Sequence, residues 1–145
     1  VKTPGDAILA VFWQKREEAG HAECALAAGR EMMAQLPVLA EQWENAGVRL
    51  GTGIGINAGP VAIGLVGKQH LEPTVIGDPV NVAQRLESLT KEFPYILLFS
   101  ESVCEPLGDL FDADELGPVA LKGRKQPIRV YGLKAPHSAG VAELD

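Results

Sequence analysis

The chain has 145 residues, of which 46% are hydrophobic, 22% charged and 6% aromatic, with a formal charge of −6. That length fits one ordinary domain of about 100–150 residues with a core of its own. The acidic balance disfavours a nucleic-acid or anionic-membrane surface. No apolar run reaches the roughly 20 residues that span a bilayer, so no membrane contact is expected from this segment. Cys24 and Cys104 lie far apart and match no metal spacing, which reads as two buried reduced thiols of a cytoplasmic protein. The sequence starts at Val1 and enters a strand-like segment at once, as expected of a piece of something longer.

Pro4-Gly5 signals a turn, and Ala7 to Phe12 is a short apolar run that predicts a buried strand in a hairpin. From His21 to Gly47 the period lengthens. Ala22, Ala25, Leu26, Met32, Met33, Leu36, Leu39 and Trp43 recur at helical spacing, with Pro37 predicting a kink or break. Leu50 to Val66 predicts two strands joined at Asn57-Ala58-Gly59-Pro60, and Thr74 to Ile76 a third. A helix follows from Val80 to Phe93, with Asp78 as its N-cap and Pro79 at its first position. Tyr95 to Phe99 reads as a buried strand, and Ser100 as the cap of a short helix running to about Leu107. A hairpin over Leu116 to Leu133 turns around Gly123 to Pro127, and 136–145 forms a flexible tail. Strands and helices mix without strict alternation, so the class is α+β.

Glycine patterns invite a nucleotide-loop reading that the residues do not support. Gly67-Lys68 lacks the Gly and Ser/Thr partners of a phosphate loop, with Ala62 and Gln69 in those places. Gly53-x-Gly55 lacks its third glycine, replaced by Ala58. Glycines that let strands turn and pack closely explain both. Asn81 and Arg85 stand at i and i+4 of the predicted helix, turned away from Val82 and Leu86. Together they could donate several hydrogen bonds to a phosphate, or they could line a solvated face. Asp6 in its turn could be a Mg²⁺ ligand or a plain turn residue. Leu121 to Lys125 is basic in an acidic protein, as an anion site or a solvated hairpin tip.

In order, Lys2-Thr3-Pro4-Gly5-Asp6, Gly53 to Val61, Thr74 to Leu86 and Leu121-Lys122-Gly123-Arg124 closely resemble the signature of class III adenylyl/guanylyl cyclase catalytic domains. The resemblance runs from Val1 to about Leu133, within a domain placed at 1–135. It implies a ferredoxin-like cyclase fold, with a central, largely antiparallel sheet, flanking helices and a first strand-helix portion upstream of Val1.

The resemblance further implies conversion of ATP to 3′,5′-cyclic AMP and pyrophosphate, with two Mg²⁺ or Mn²⁺ ions per site. Asp6 matches the second of two metal aspartates; the first belongs to the upstream strand. Lys2 and Thr74 match the purine-reading pair, Asn81 the ribose-orienting residue and Arg85 the residue that stabilises α-phosphate charge. Lys122 matches the lysine on the terminal phosphates, with Arg124 as a substitute. Lys with Thr resembles adenylyl cyclases, whereas guanylyl cyclases tend to carry Glu and Cys. His70 and Pro73 depart from the Arg and Tyr that the family often has there, leaving Lys68 or His70 to supply that phosphate contact. The family also implies a head-to-tail homodimer with shared active sites and an upstream sensor or regulatory domain, the parent protein being either soluble or membrane-anchored. The alternatives are a guanylate cyclase and a catalytically silent nucleotide-binding or dimerisation module.

Overall fold

The computed structural model describes residues 7–13, 20–48, 51–104 and 112–134. Helix α1 (His21–Asn45) is followed by strands β1 (Ile54–Ile56), β2 (Ala62–Val66) and β3 (Glu72–Ile76), then helix α2 (Asp78–Leu89) and a 3₁₀ turn (Thr90–Glu92). Strand β4 (Leu97–Ser100), the short helix α3 (Glu101–Cys104), β5 (Ala113–Val119) and β6 (Ile128–Leu133) complete the order. The α+β expectation holds. One sheet runs β1-β4-β6-β5, and β2 and β3 form a separate antiparallel ribbon. Strands β4 and β5 flank β6 antiparallel, whereas β1 lies parallel to β4, so the sheet is mixed. A parallel pair needs a crossover, and α2 lies within the stretch that supplies it.

The all-apolar run Leu97-Leu98-Phe99 is buried because both faces of the sheet are covered. Leu97 and Phe99 point to α1, packing with Ala22, Leu26 and Met33; Leu98 points to α2, packing with Val82, Leu86, Leu121 and Val130. Where α2 crosses β1 there is no room for side chains. A Cβ on Gly55 would stand 2.2 Å from the Ala83 carbonyl oxygen and 2.4 Å from the Glu87 nitrogen, and one on Gly53 2.9 Å from the Glu87 oxygen. These glycines are the seat of the helix, as the close-packing reading expected.

Several expectations are corrected. The Ala7–Phe12 run forms only an isolated bridge at Leu9, and most of its residues are exposed, because neither sheet takes it up as a strand. Helix α1 continues through Pro37 without a break; the ring sits on an exposed stretch, where losing one N–H does not end the helix. Its buried residues end at Met33, the last of them in the cluster with Leu97 and Phe99, and Leu39 and Trp43 are exposed together with Met32. Asp78 is the first residue of α2 rather than its cap; Gly77 holds that place. The Ser100 hydroxyl turns to the Asn57 side chain instead of capping α3. Cys24 is exposed, because it lies off the buried stripe of α1 formed by Ala22, Leu26, Gly29 and Met33, and Cys104 is half-buried against the cluster beneath that helix. The first turn, the end of the short helix beyond Cys104 and the 136–145 tail lie outside the described residues.

Tyr95, just before β4, ties the far end of the sheet together. Its ring lies where a Gly132 side chain would be, and its hydroxyl donates to Asp114 on β5. Lys134 Nζ stands 3.2 Å from Asp112 and 3.5 Å from Asp114. The hydrogen bond to Asp114 raises the Tyr95 phenol above its ordinary value and, from the other side, lowers the Asp114 carboxyl, with Lys134 assisting.

Two predictions follow from this packing. Gly55→Ala should lower the denaturant midpoint by the equivalent of about 1–3 kcal/mol, whereas Gly51→Ala, with open space around it, should stay within about 0.5 kcal/mol of wild type. Because folding lowers the Asp114 carboxyl, its stabilisation is present above the unfolded value and lost as pH falls through the folded one. The stability gap between wild type and Asp114→Asn, read by denaturant titration, should therefore shrink on acidification; a pH-independent gap would reject this account.

Candidate active site at the N-terminal half of α2

The pattern Val82, Leu86 fixes which way α2 faces. Both are buried against the sheet, so Asn81 and Arg85, each one residue earlier, emerge beside that seam. Asn81 is exposed and Arg85 half-buried. Neither side chain makes a hydrogen bond or ion pair among the described residues.

On one side of α2, a cavity of about 290 Å³ opens between the end of β3 and the helix. Thr74, Val75, Ile76 and Gly77 form one wall, and Val80, Asn81 and Gln84 the other, with Leu9 beside them. Thr74 and Asn81, singled out separately in the sequence, thus share one apolar-walled hollow. Such a lining, mostly hydrophobic with a few polar groups, suits a small heterocyclic or sugar-bearing ligand. Gln84 was not anticipated, although its i+3 spacing from Asn81 places it on the same face.

On the other side lies the β5–β6 hairpin turn. The Arg124 N–H donates to the Leu121 carbonyl at 3.1 Å, closing a four-residue turn whose third residue, Gly123, has φ +86°. A Cβ on Gly123 would stand 3.0 Å from Arg85 Nη2, so the bare glycine backbone is what lets the guanidinium lie against the turn. Arg124 forms an ion pair with Asp78 in the first turn of α2. Buried Leu121 pins the start of the turn, while Lys122 at its tip is exposed and has no ion-pair partner among the described residues. The two basic residues of this turn are therefore not equivalent. Arg124 is occupied in holding the turn to the helix; Lys122 and Arg85 present uncompensated positive charge.

Lys2 and Asp6 lie outside the described residues. Among the described residues there is no group of three or more His, Cys, Asp or Glu side chains able to hold a metal ion. Lys68 and His70 sit in the turn between β2 and β3, both exposed, and Pro73 pairs with Leu65 across the ribbon. No helix among them is long and apolar enough to cross a membrane.

The adenylate and guanylate cyclase catalytic domain model matches residues 1–135. The chain belongs to that family. An adenylate cyclase of Anabaena cylindrica is 37% identical over 140 residues, which is 90% of this chain and 27% of that protein. A terminal-differentiation-specific adenylate cyclase of Dictyostelium discoideum is 34% identical over 134 residues, 88% of this chain and 6% of that protein. The chain thus spans about a quarter or less of these relatives. The adenylyl cyclase CyaB from P. aeruginosa superposes with a TM-score of 0.69 at 29% identity, covering 81% of this chain and 60% of the other. The guanylyl cyclase Cya2 does so with a TM-score of 0.70 at 26% identity, covering 87% and 64%. The fold is that of a cyclase catalytic domain, as the motifs implied.

The different employment of the two loop cations is testable. Removing an exposed ion pair should cost less than about 1 kcal/mol, so Arg124→Ala should leave the fold intact while loosening the turn. Lys122→Ala should leave thermal stability unchanged and weaken binding of inorganic triphosphate, measured by calorimetry, more than Arg124→Ala does. Equal losses would show that the two cations share one role.

Proposed function

We propose that this domain is an adenylate cyclase, converting ATP to cyclic AMP and pyrophosphate within a head-to-tail homodimer. The observation that carries the reading is the shared helix: α2 offers Asn81 to the cavity that holds Thr74, and one turn later offers Arg85 to the turn that bears Lys122. One ligand with a base, a sugar and a string of phosphates fits that sequence of groups.

In this reading Thr74 and Lys2 read the purine. The threonine hydroxyl accepts from the adenine amine and the lysine donates to N1, whereas guanine would present an N1–H to the ammonium, leaving it unpaired at about 1–3 kcal/mol. Asn81 orients the ribose so that its 3′-oxygen faces the α-phosphorus. A bond forms between these atoms, the bond from the α-phosphorus to the bridging oxygen breaks, pyrophosphate departs with that electron pair, and the hydroxyl proton passes to solvent water. Arg85 meets the charge that grows on the α-phosphate oxygens, and Lys122 holds the terminal phosphates. Two Mg²⁺ or Mn²⁺ ions, with Asp6 as one carboxylate ligand, supply Lewis-acid activation and charge neutralisation when bound.

The dimer is supported by the β2–β3 ribbon. A lone two-stranded ribbon is marginal in water, and this one leaves Ile63, Leu65, Leu71 and Ile76 more than half exposed. A second copy of the chain would cover them. Asp6 of one subunit would then work with Lys2, Thr74, Asn81, Arg85 and Lys122 of the other.

Base choice is tested by kcat/KM for the two nucleotides in the full-length protein. ATP should be preferred; comparable values or a preference for GTP would favour the guanylate cyclase reading, and no product from either would favour a silent module. Subunit sharing is tested by mixing Asp6→Asn with Arg85→Ala chains, each nearly inactive alone. Random exchange makes about half the dimers mixed, each with one intact site, so activity should recover to about a quarter of wild type. Demonstrated exchange without recovery would sink the shared site.

A further inference from the structure

We infer that Asn57 is a positioning residue, which fixes the first turns of α2 on the sheet and through them the aim of Asn81 and Arg85. Its carboxamide sits at the end of β1 and is used from both ends. Oδ1 accepts from the Ser100 hydroxyl at 2.5 Å and from the Ser102 hydroxyl at 3.0 Å, and Nδ2 donates to the Pro79 carbonyl at 3.1 Å. Ser100, at the end of β4, is itself buried and lies 2.7 Å from Ser102 in α3. Ser102 also accepts from the backbone N–H of Ala58 at 3.3 Å, so the segment after β1 is tied to α3 at two successive residues. Two residues beyond Asn57, Gly59 packs so closely on the Pro79 ring that a Cβ would stand 2.6 Å from Cγ. The same loop thus grips the second residue of α2 by a hydrogen bond and by contact.

Gly77 gives α2 no side-chain cap; the Val80 N–H donates to the Gly77 carbonyl at 3.1 Å, and among the described residues the side chains that tie the first turn to the rest of the fold are Arg124, paired with Asp78, and Asn57. Farther along, Gly53 and Gly55 set how close α2 lies to β1, but bare glycines offer no directional contact against sliding or rotation. The hydrogen bond from Asn57 to the Pro79 carbonyl is directional. Asn81 follows two residues later and Arg85 one turn after that, so a small rotation of the helix start would swing both away from a common ligand.

The inference that this aim serves catalysis rests on the cyclase reading; the anchoring itself does not. Asn57→Asp keeps the acceptor and the size, yet turns an oxygen toward the Pro79 carbonyl in place of the donor. Hydrogen exchange in the full-length protein without nucleotide should show the backbone amides of residues 80–85 exchanging at least about tenfold faster in Asn57→Asp, with β4 and β6 unchanged. Unchanged exchange at 80–85, or equal acceleration throughout the sheet, would overturn the anchoring. A second variant, Ser100→Ala, removes one support of the carboxamide without placing charge, and should give a smaller acceleration at the same amides.

The catalytic half is read from a double-mutant cycle with whichever nucleotide the wild type cyclises. If Asn57 acts through Arg85, Asn57→Asp should lower kcat about tenfold or more with KM nearly unchanged, and should lower it far less in an Arg85→Ala background. Equal factors in both backgrounds would overturn the positioning role even where exchange is faster. A wild type that makes no cyclic nucleotide would overturn the cyclase reading and this half with it, while exchange still decides the anchoring.

Discussion

The approach of α2 to β1 is the constraint on which the described structure depends. Gly53 and Gly55 present backbone where most strands present side chains, and the helix brings its own Ala83 and Glu87 backbone against them rather than resting on a layer of methyl groups. That proximity lets Val82 and Leu86 pack beside Leu98 and Val130, and these side chains determine which face of the helix meets the sheet. The orientation of Asn81 and Arg85 is a consequence of packing on the opposite side of the same two turns. The placement of these two side chains therefore depends on glycines elsewhere in the packing.

The same logic extends to the hairpin turn. Leu121 joins the cluster under α2, which fixes where the turn begins, and Arg124 closes it onto Asp78. Gly123 then admits the Arg85 guanidinium to the turn. Three residues of one short motif do three different jobs, and Lys122 between them stays exposed without an ion-pair partner among the described residues. An exposed ion pair adds little to folding free energy. Its use here is geometric: it keeps a flexible tip beside the helix that completes the cluster.

Legibility in the sequence divided along the range of the interactions. The helices and the strands of both sheets were readable because each is specified by local periodicity, as with Val82 and Leu86 or the run Leu97 to Phe99. The four motifs together also pointed to the family, the long third one drawing attention to Thr74, Asn81 and Arg85 and the last to Lys122, and the cavity brings the first two together. What escaped was whatever depends on partners far along the chain. Asn57 meets Ser100 and Pro79 at separations of 43 and 22 residues, and Arg124 meets Asp78 at 46. The motif already preferred Lys122 to Arg124 as a phosphate contact, but that Arg124 is paired with Asp78 appears only in the fold. Exposure was misjudged for a related reason. Leu39 and Trp43 have the right spacing for a core, but the buried residues of α1, packed with Leu97 and Phe99, end at Met33.

Electrostatics gives the site its last feature. A chain carrying −6 repels anions at long range, yet a polyphosphate needs a locally positive surface. Spending every basic side chain in the neighbourhood on carboxylates would hold the fold and leave no field. Here the pairing is unequal: Asp78 neutralises Arg124, while Arg85 and Lys122 have no acidic partner among the described residues. Arg85 is half-buried between helix and turn, where a lower effective dielectric strengthens its action on a nearby charge, and Lys122 stands out in water, where its reach is short. A charge forming close to the helix would feel the first strongly, and a phosphate arriving at the turn would feel the second. Burial thus gives the two cations different reach, Arg85 acting strongly beside the helix and Lys122 weakly from the water around the turn.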